Sequence, residues 1–440
     1  MIPYAETRAA MPSNIPPSGG SPCTGIDIPN NVAPFGYACI DNDFSMKSNA
    51  LFTAVTYCHS WLWTRDAELA KRRQLPYLTS TLEFMACWLL EGGDGKLQIR
   101  SDCIYEDCGC AGAGTANSTV NPASTLGFLM LALNTTIDMA AALNGTVSSA
   151  QVSKWIAMRA KLPLLPLGLA DTRCQRNTPS SEQSCSTCPQ PTSNASSAPF
   201  LQRVLASQQA PYYFCPGRVP IPLYSLWPSL QVGLGSDPAL LAISRNTVER
   251  WNAWLQGNSF TEAFPAAVRV GYKPTLVVNK LENLLSNWTF ANGVFYATTG
   301  GIETLGNTAA INDMLCHVDN GGTLRLFPSW PPDEPASFAN LRVEGGLLIS
   351  ASLVAGAVAN VSLTNDAKDG AATRTVRLLS PWKTQWIAVT CAKSGKRLKV
   401  LAEKQNKNIF AFNAPAGGRL VISGEPGPRL KTDDVMDASR

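Results

Sequence analysis

Apolar residues recur every three or four positions through roughly the first 320 residues of the chain. This spacing places them on one face of a helix, so it predicts helices at residues 44–62 and 75–89, joined by the short polar link 64–66. A similar pattern over residues 123–160 is interrupted at 144–145, which predicts a second pair. Paired helices with short links form helical hairpins. Further helices are predicted at 238–254, 274–285 and 308–315.

The spacing changes after about residue 323, where apolar and polar residues begin to alternate. Such alternation is typical of strands that bury one face. The sequence therefore predicts a mainly α protein in three parts: an arm rich in Pro, Ser and Gly at 1–35, a helical body at 36–322 and a β-sandwich-like domain at 323–440. A Cys-rich insertion is expected near residues 172–200. The strands are predicted at 324–326, 347–350, 358–363 and 375–379.

Composition narrows the classes of function. The 440 residues are 45% hydrophobic and 15% charged, so the chain can bury a large core. A net charge of +4, with no basic run longer than residues 71–73, argues against nucleic-acid binding. The two histidines, His59 and His317, argue against a histidine-rich metal site, and we expect neither a metal nor another cofactor. The longest apolar stretch, 126–143, contains polar residues and predicts a buried helix rather than a membrane span.

Cysteines and glycosylation signals both indicate an oxidising compartment. Cysteines cluster in polar segments, where disulfides are expected: Cys103, Cys108, Cys110, Cys174, Cys185 and Cys188. Half of a zinc site at Cys185 and Cys188 is the alternative, but a second matched pair is missing. Six Asn-x-Ser/Thr signals predict N-glycosylation: Asn117, Asn134, Asn144, Asn194, Asn287 and Asn360. We therefore expect a secreted, extracellular or lysosomal glycoprotein.

The amino terminus does not fit that expectation by itself. Residues 1–8 lack the apolar segment of a signal peptide. We expect either that the true start lies upstream or that the chain is a processed piece of a longer precursor.

Several short motifs follow one another in a fixed order. They are residues 41–46 (Asp-Asn-Asp-Phe-Ser-Met), 97–107, 226–228 (Leu-Trp-Pro), 264–272, 300–315, 327–331 and 336–342. In order and spacing they resemble family 95 of the glycoside hydrolases, the α-L-fucosidases and α-L-galactosidases, over roughly residues 36–382. The resemblance implies an (α/α)6 toroid followed by a β-domain. The N-terminal β-sandwich of that family has no counterpart before the first motif.

The same resemblance suggests the catalytic residues. Inverting hydrolysis needs an acid on the leaving oxygen and a base for water, about 6.5–9.5 Å apart. Glu106 matches the position of the general acid, and its alternative is an exposed loop glutamate. Asp41 and Asp43 stand where the family has two asparagines, and Glu303 lies near the place of the family's aspartate, after two glycines. Asp41 and Asp43 have an alternative role as N-caps of the helix near Phe44.

Aromatic and polar residues near these motifs are candidates for sugar binding, because sugar sites combine ring faces with a few polar groups. The candidates are Asn42, His59, Trp227, Phe264 and Trp330, with Trp61 as a further wall residue. Packing in the core is the alternative for each aromatic residue. A family histidine upstream of the Leu-Trp-Pro turn is replaced by Pro222.

Two hypotheses of different classes follow. The first is a secreted inverting exo-glycosidase that removes α-L-fucosyl, α-L-galactosyl or related residues from a glycan. The second is a catalytically inactive glycoprotein of the same fold that binds carbohydrate or serves as a structural component of an extracellular assembly, with an N-terminal partner chain as one possible companion. A polysaccharide lyase is a third reading, for which the sequence offers no cluster of Tyr, His and Arg.

Overall fold

Helices form the first part of the chain and strands form the last. The structure is a computed structural model, and it describes residues 15–28, 46–100, 102, 120–172, 201–209, 220–254, 260–287, 290, 306–382, 386–425 and 435–436. The helices are α1 (Ser48–Thr64), α2 (Ala67–Leu69, continued by a π-helical segment Ala70–Gln74 into Leu75–Trp88), α3 (Ala123–Ala142), α4 (Ser149–Lys161), α5 (Pro238–Trp251), α6 (Phe260–Arg269), α7 (Pro274–Asn287) and α8 (Gly306–Leu315).

The link between α1 and α2 shows how local chemistry sets the helix ends. Arg65 adopts a positive φ of 54°, and its N–H donates to the carbonyl of Trp61 at 2.8 Å, which ends α1. Asp66 then caps α2 by accepting a hydrogen bond from the N–H of Leu69 at 2.9 Å. The prediction of two helices joined by residues 64–66 is confirmed.

The start of α1 differs from the prediction. The helix begins at Ser48 rather than near Phe44, and Lys47 occupies the N-cap position without a side-chain cap. The N–H of Lys47 instead donates to the carboxylate of Asp102 at 2.7 Å. Asp41 and Asp43, the alternative caps of this helix, lie outside the described residues, so that role stays a prediction.

The helical body holds two apolar cores. One lies among α1–α4 and includes the fully buried Trp61 and Trp155, and the other lies among α5–α8. A disulfide between Cys23 and Cys87 joins the segment before α1 to α2. The six loop cysteines proposed for disulfides lie outside the described residues. An (α/α)6 toroid needs six helix pairs, whereas the described residues contain the eight helices α1–α8, so the complete toroid remains a prediction.

Helix α3 is the one described helix long and apolar enough to cross a membrane by length and composition. Its 18-residue window has a mean hydropathy of 1.3, and 61% of that window is buried inside the protein. The core helix of a soluble protein passes the same test, so the finding is weak evidence for a span.

Short strand pairs accompany the helices, and longer strands form the C-terminal domain. Outside that domain lie β1 (Leu90–Glu91) with β2 (Leu97–Gln98), β3 (Leu167–Asp171) with β4 (Leu201–Leu205), and a 3-10 helix at Ile221–Ser225. The domain contains β5 (Cys316–Val318), β6 (Thr323–Leu326), β7 (Ala336–Val343), β8 (Leu347–Val354), β9 (Ala357–Asn365), β10 (Thr373–Leu379), β11 (Trp386–Cys391), β12 (Leu401–Glu403), β13 (Ile409–Pro415), β14 (Arg419–Glu425) and β15 (Val435–Met436).

The C-terminal strands form two sheets around one apolar core. The first sheet has the order β15-β12-β13-β10-β6-β5, and the second has the order β11-β14-β9-β8-β7. Leu378 and Phe412 of the first sheet share a core with Ile349 and Leu363 of the second. Buried and less buried residues alternate along β8, as expected for a strand with one face in the core. Helices followed by a β-domain are thus the observed order.

The β-domain contacts the helical body at the α1–α2 link. Gly345, in the turn between β7 and β8, donates its N–H to the carbonyl of Leu62 at 2.7 Å. Arg65 contacts Asp369 of the β9–β10 loop, with Nε and Oδ2 3.2 Å apart. Arg65 also stacks on Trp61, with its guanidinium carbon 4.2 Å from the ring centroid. The carboxyl end of α1 is therefore part of the domain junction.

Candidate functional site

Three half-buried aromatic side chains meet near this junction, and we refer to His59, Trp63 and Trp227 as the ring cluster. His59 and Trp63 lie four positions apart on α1, so they project from the same face of the helix, and their ring centroids are 4.9 Å apart. Trp227 follows the 3-10 helix and lies 5.0 Å from His59 and 6.5 Å from Trp63, edge-on to the latter. The cluster combines two indole faces with an imidazole.

The imidazole of His59 is held in one tautomer. Its Nε2 lies 2.7 Å from the carbonyl oxygen of Pro228. Burial lowers the pKa of His59 to about 4, although the hydrogen bond to Pro228 acts in the opposite direction. The ring is neutral at neutral pH, so Nε2 carries the proton that it donates to the carbonyl and Nδ1 is left as an acceptor. No described residue forms a hydrogen bond with Nδ1.

A buried arginine lies against Trp227. The guanidinium carbon of Arg269, at the end of α6, is 5.5 Å from the Trp227 ring centroid, within the range of a cation–π interaction. Arg269 binds Asp313 of α8 through two hydrogen bonds, of 2.6 Å and 2.9 Å. Its Nη2 also donates to Glu344 at 2.7 Å, and its Nη1 donates to the carbonyl of Val318 at 3.0 Å. One side chain therefore joins two helices to the β-domain.

The charges of this network offset one another. Burial alone would lower the pKa of Arg269, but the carboxylates of Asp313 and Glu344 outweigh it and raise the pKa above the ordinary arginine value. Glu344 additionally accepts a hydrogen bond from the N–H of Val318 at 3.0 Å. Because both carboxylates are bound by Arg269, neither is free to serve as an acid or base beside the ring cluster.

The second histidine lies within the same junction. His317 is buried, and its Nδ1 is 2.8 Å from the carbonyl oxygen of Asp313. Burial lowers its pKa well below the usual range, helped by the charge of Arg269. A buried neutral imidazole of this kind supports packing rather than proton transfer with an external ligand.

A second buried polar network lies at the amino end of α1. Asp102 accepts hydrogen bonds from the N–H of Lys47 at 2.7 Å and from the hydroxyl of Thr125 at 2.5 Å. Lys47 also pairs with Asp27 across 3.5 Å, and both are nearly inaccessible to solvent. Burial raises the pKa of Asp102 to about 7, although the bonds from Thr125 and Lys47 lower it. A buried carboxyl with a raised pKa thus holds two distant segments together.

The predicted catalytic residues cannot be placed on this framework. Asp41, Asn42, Asp43, Glu106 and Glu303 all lie outside the described residues. Their proposed roles remain predictions from the sequence.

The predicted sugar-binding residues fall into two groups. His59 and Trp227 come together in the ring cluster. Phe264, in contrast, is completely buried in the core among α5–α8 and packs against Trp254 at 5.2 Å, so it offers no ring face to a ligand and its assignment to a sugar site is wrong. Trp61 is buried as well. Trp330 is half-buried against the same core as Phe264, and its indole N–H donates to the carbonyl of Glu334 at 3.1 Å.

Two members of the site were not singled out from the sequence. Trp63 follows His59 by four positions, a spacing that places both on one helix face and would have identified it. Arg269 has no such local signal, because its partners Asp313 and Glu344 are 44 and 75 residues away.

Four of the six glycosylation signals lie on described residues. Asn134, Asn144, Asn287 and Asn360 are exposed, whereas Asn117 and Asn194 lie outside the described part. N-glycosylation at these asparagines stays a prediction. Among the described residues, no group of three or more His, Cys, Asp or Glu side chains is arranged to hold a metal ion.

Comparison with known proteins finds one weak structural likeness. No protein-family model matches the sequence, and no curated protein matches it. A solved structure described as a kojibiose phosphorylase from the human microbiome aligns with 94% of this chain at a TM-score of 0.42 and 10% identity. The alignment covers 52% of that protein, so this chain spans about half of its length. Similarity at this level does not assign the chain to a family.

Proposed function

We propose that the protein binds carbohydrate at the ring cluster. The observation that carries the proposal is the contact between His59 and Trp227, whose ring centroids are 5.0 Å apart, with Trp63 beside them. Indole faces pack against the C–H surfaces of sugars, while polar groups of a site bind their hydroxyls. The acceptor Nδ1 of His59, which has no hydrogen-bond partner among the described residues, supplies such a group for a hydroxyl donor.

The more specific proposal is that this carbohydrate site belongs to a secreted, family 95-type inverting exo-glycosidase for α-L-fucosyl or α-L-galactosyl residues. Glu106 is proposed as the acid, and Asp41, Asp43 and Glu303 as the residues that hold and activate water. Lys47 and Asp102 are bonded to each other, and each is four positions from a candidate carboxylate, Asp43 or Glu106. Four residues span at most about 14 Å, so the chain is long enough on each side for these two carboxylates to reach a shared pocket.

Carbohydrate binding without hydrolysis is the second proposal, and one observation favours it. The carboxylates in the network behind Trp227, Asp313 and Glu344, are both bound by Arg269. The described part of the site therefore contains ring faces and an acceptor but no free acid or base beside them.

Hydrolysis and binding assays with the purified protein separate these proposals. Aryl α-L-fucoside and α-L-galactoside are offered as substrates to the wild type and to Glu106→Gln, and binding of the same compounds is measured by titration calorimetry. Hydrolysis that is lost in the variant supports the glycosidase. Binding without hydrolysis in the wild type supports the binding protein.

Trp63→Ala tests whether the ring cluster is the binding site. Loss of one stacking face is expected to weaken binding by about tenfold, which corresponds to about 1.4 kcal/mol. Trp382→Ala is the matched control, because Trp382 is half-buried in the β-domain core and donates its indole N–H to the carbonyl of Val358. Equal affinities of the two variants would refute the assignment of the site.

A further inference from the structure

The turn between β7 and β8 reaches from the β-domain to the helix that carries two members of the ring cluster. The last carbonyls of a helix have no partner within the helix. Here Gly345 donates its N–H to the carbonyl of Leu62 at 2.7 Å, and Arg342 lies 3.4 Å from the carbonyl of Trp63. The β-domain therefore completes the carboxyl end of α1 next to His59 and Trp63.

The same turn also reaches the third ring, that of Trp227, through the carboxylate of Glu344. Glu344 binds Arg269 at 2.7 Å, and the guanidinium of Arg269 lies against the ring of Trp227. Trp227 lies 5.0 Å from His59, and the charges of Arg269 and Glu344 act in opposite directions on the pKa of that imidazole. The turn thus contacts the end of the helix that carries His59 and Trp63, and it reaches Trp227 through Arg269.

The turn requires glycine at two positions. Gly345 and Gly346 have φ values of 90° and 71°, a backbone region that favours glycine. A side chain at Gly346 would also place its Cβ 2.7 Å from the Cα of Ala367. The sequence Glu344-Gly345-Gly346 therefore sets both the position of the carboxylate and the position of the N–H that binds α1.

We propose that the β7–β8 turn, through Glu344, positions the ring cluster, so that carbohydrate affinity depends on a residue that the β-domain supplies. The inference rests on the proposed carbohydrate site for its ligand. Glu344 is a positioning residue here, because it acts on the rings through Arg269 rather than by touching the sugar. A conventional structural role would stabilise the junction without changing the rings.

Glu344→Gln is the primary variant, since the amide keeps the shape and still accepts the hydrogen bond from Val318 while the charge is removed. Glu403→Gln is the matched control, because Glu403 is also buried in the β-domain and bound to an arginine, with Arg377 Nε 2.6 Å from Oε1. Arg342→Met is a second variant, which removes the contact with Trp63 and leaves the charge of Glu344 in place.

Two measurements are made on the full chain. Binding of L-fucose, L-galactose and their aryl α-glycosides gives the affinity. Nuclear magnetic resonance of the ring nitrogens gives the titration of His59, which is distinguishable because the chain has only two histidines. In Glu344→Gln we expect affinity to fall about tenfold and the imidazole of His59 to stay neutral to a lower pH, because the loss of a neighbouring negative charge disfavours protonation.

We expect Glu403→Gln to leave both the affinity and the His59 signals unchanged, and Arg342→Met to shift the His59 signals and weaken binding. If Glu344→Gln and Arg342→Met resemble Glu403→Gln in both measurements, the inference is overturned. If the wild type binds none of these sugars, the proposed function fails, while the His59 signals of Arg342→Met, which keeps the charge of Glu344, still test whether the β-domain positions the rings.

Discussion

Replacement of Arg269 by methionine tests the buried charge network directly. The side chain is 3% exposed and makes three hydrogen bonds to the carboxylates of Asp313 and Glu344 and one to the carbonyl of Val318. Methionine fills a similar volume but leaves two buried carboxylates without a positive partner. Breaking a buried pair in this way costs about 3–5 kcal/mol, so we expect Arg269→Met to lose about that much stability.

A charge-neutral triple variant separates the cost of unpaired charge from the loss of packing. In Arg269→Met with Asp313→Asn and Glu344→Gln, none of the three charges of this network remains, and the amide at position 344 can still accept from the N–H of Val318. Replacing a whole buried network by neutral groups is often close to neutral in stability. We therefore expect the triple variant to be more stable than the single variant.

The assay is urea unfolding followed by tryptophan fluorescence. Arg397→Met serves as the control, because Arg397 is 60% exposed in its pair with Glu425 and such surface pairs contribute only about 0–1 kcal/mol. A single Arg269 variant within about 1 kcal/mol of the wild type would refute the reasoning. A triple variant less stable than the single one would refute it as well.

Three further predictions concern titration and the disulfide. The folded pKa of His59, about 4, lies below its ordinary value, so the unfolded chain gains a proton first and stability falls as pH drops from about 6.5 to about 4. His59→Gln should therefore reduce this loss of stability by roughly 3 kcal/mol when unfolding is measured over that pH range. The folded pKa of Asp102, about 7, is raised instead, so the contribution of Asp102 to folding stability falls as pH rises toward 7. Over that pH range, Asp102→Asn should gain stability relative to the wild type in the same unfolding series. Cys23 and Cys87 enclose a loop with a sequence separation of 64, so loop entropy predicts that the double Ser variant loses about 4 kcal/mol of unfolding free energy. This loss should appear as a lower urea midpoint than that of the oxidised wild type. An unchanged pH profile in either titration variant, or an unchanged midpoint in the Ser variant, would contradict the corresponding prediction.

Local periodicity was sufficient to predict most of the described helices and four strands of the β-domain, but not the point at which each begins. The apolar spacing of α1 and α2 and the alternation along β8 are properties of neighbouring residues, and the structure has both. The start of α1 is set by Asp102, which binds the N–H of Lys47 from 55 residues away. A sequence pattern near Phe44 contains no information about such a partner, which is why the predicted start lies too early.

The same distinction explains the outcome for the predicted ring residues. Phe264 and Trp227 are both large aromatic residues near family-like motifs, and composition cannot tell which one faces the core. Tertiary packing places Phe264 in a closed core. Trp227 instead packs against His59 and Arg269 and is half-buried, and His59 binds the adjoining Pro228 from 169 residues away. Only the fold decides which aromatic residues form a site.

The proposed dependence of the ring cluster on the β-domain could not be predicted from the sequence. Its three rings belong to the helical body, so the motifs that predict a binding site lie there. The groups that fix the rings are Glu344 and Gly345, which lie at a strand turn where a glycine pair ordinarily indicates only a tight reversal. If affinity falls in Glu344→Gln but not in Glu403→Gln, the binding site is a property of both domains together, and removing the β-domain would remove the site as well as the stability that the junction provides.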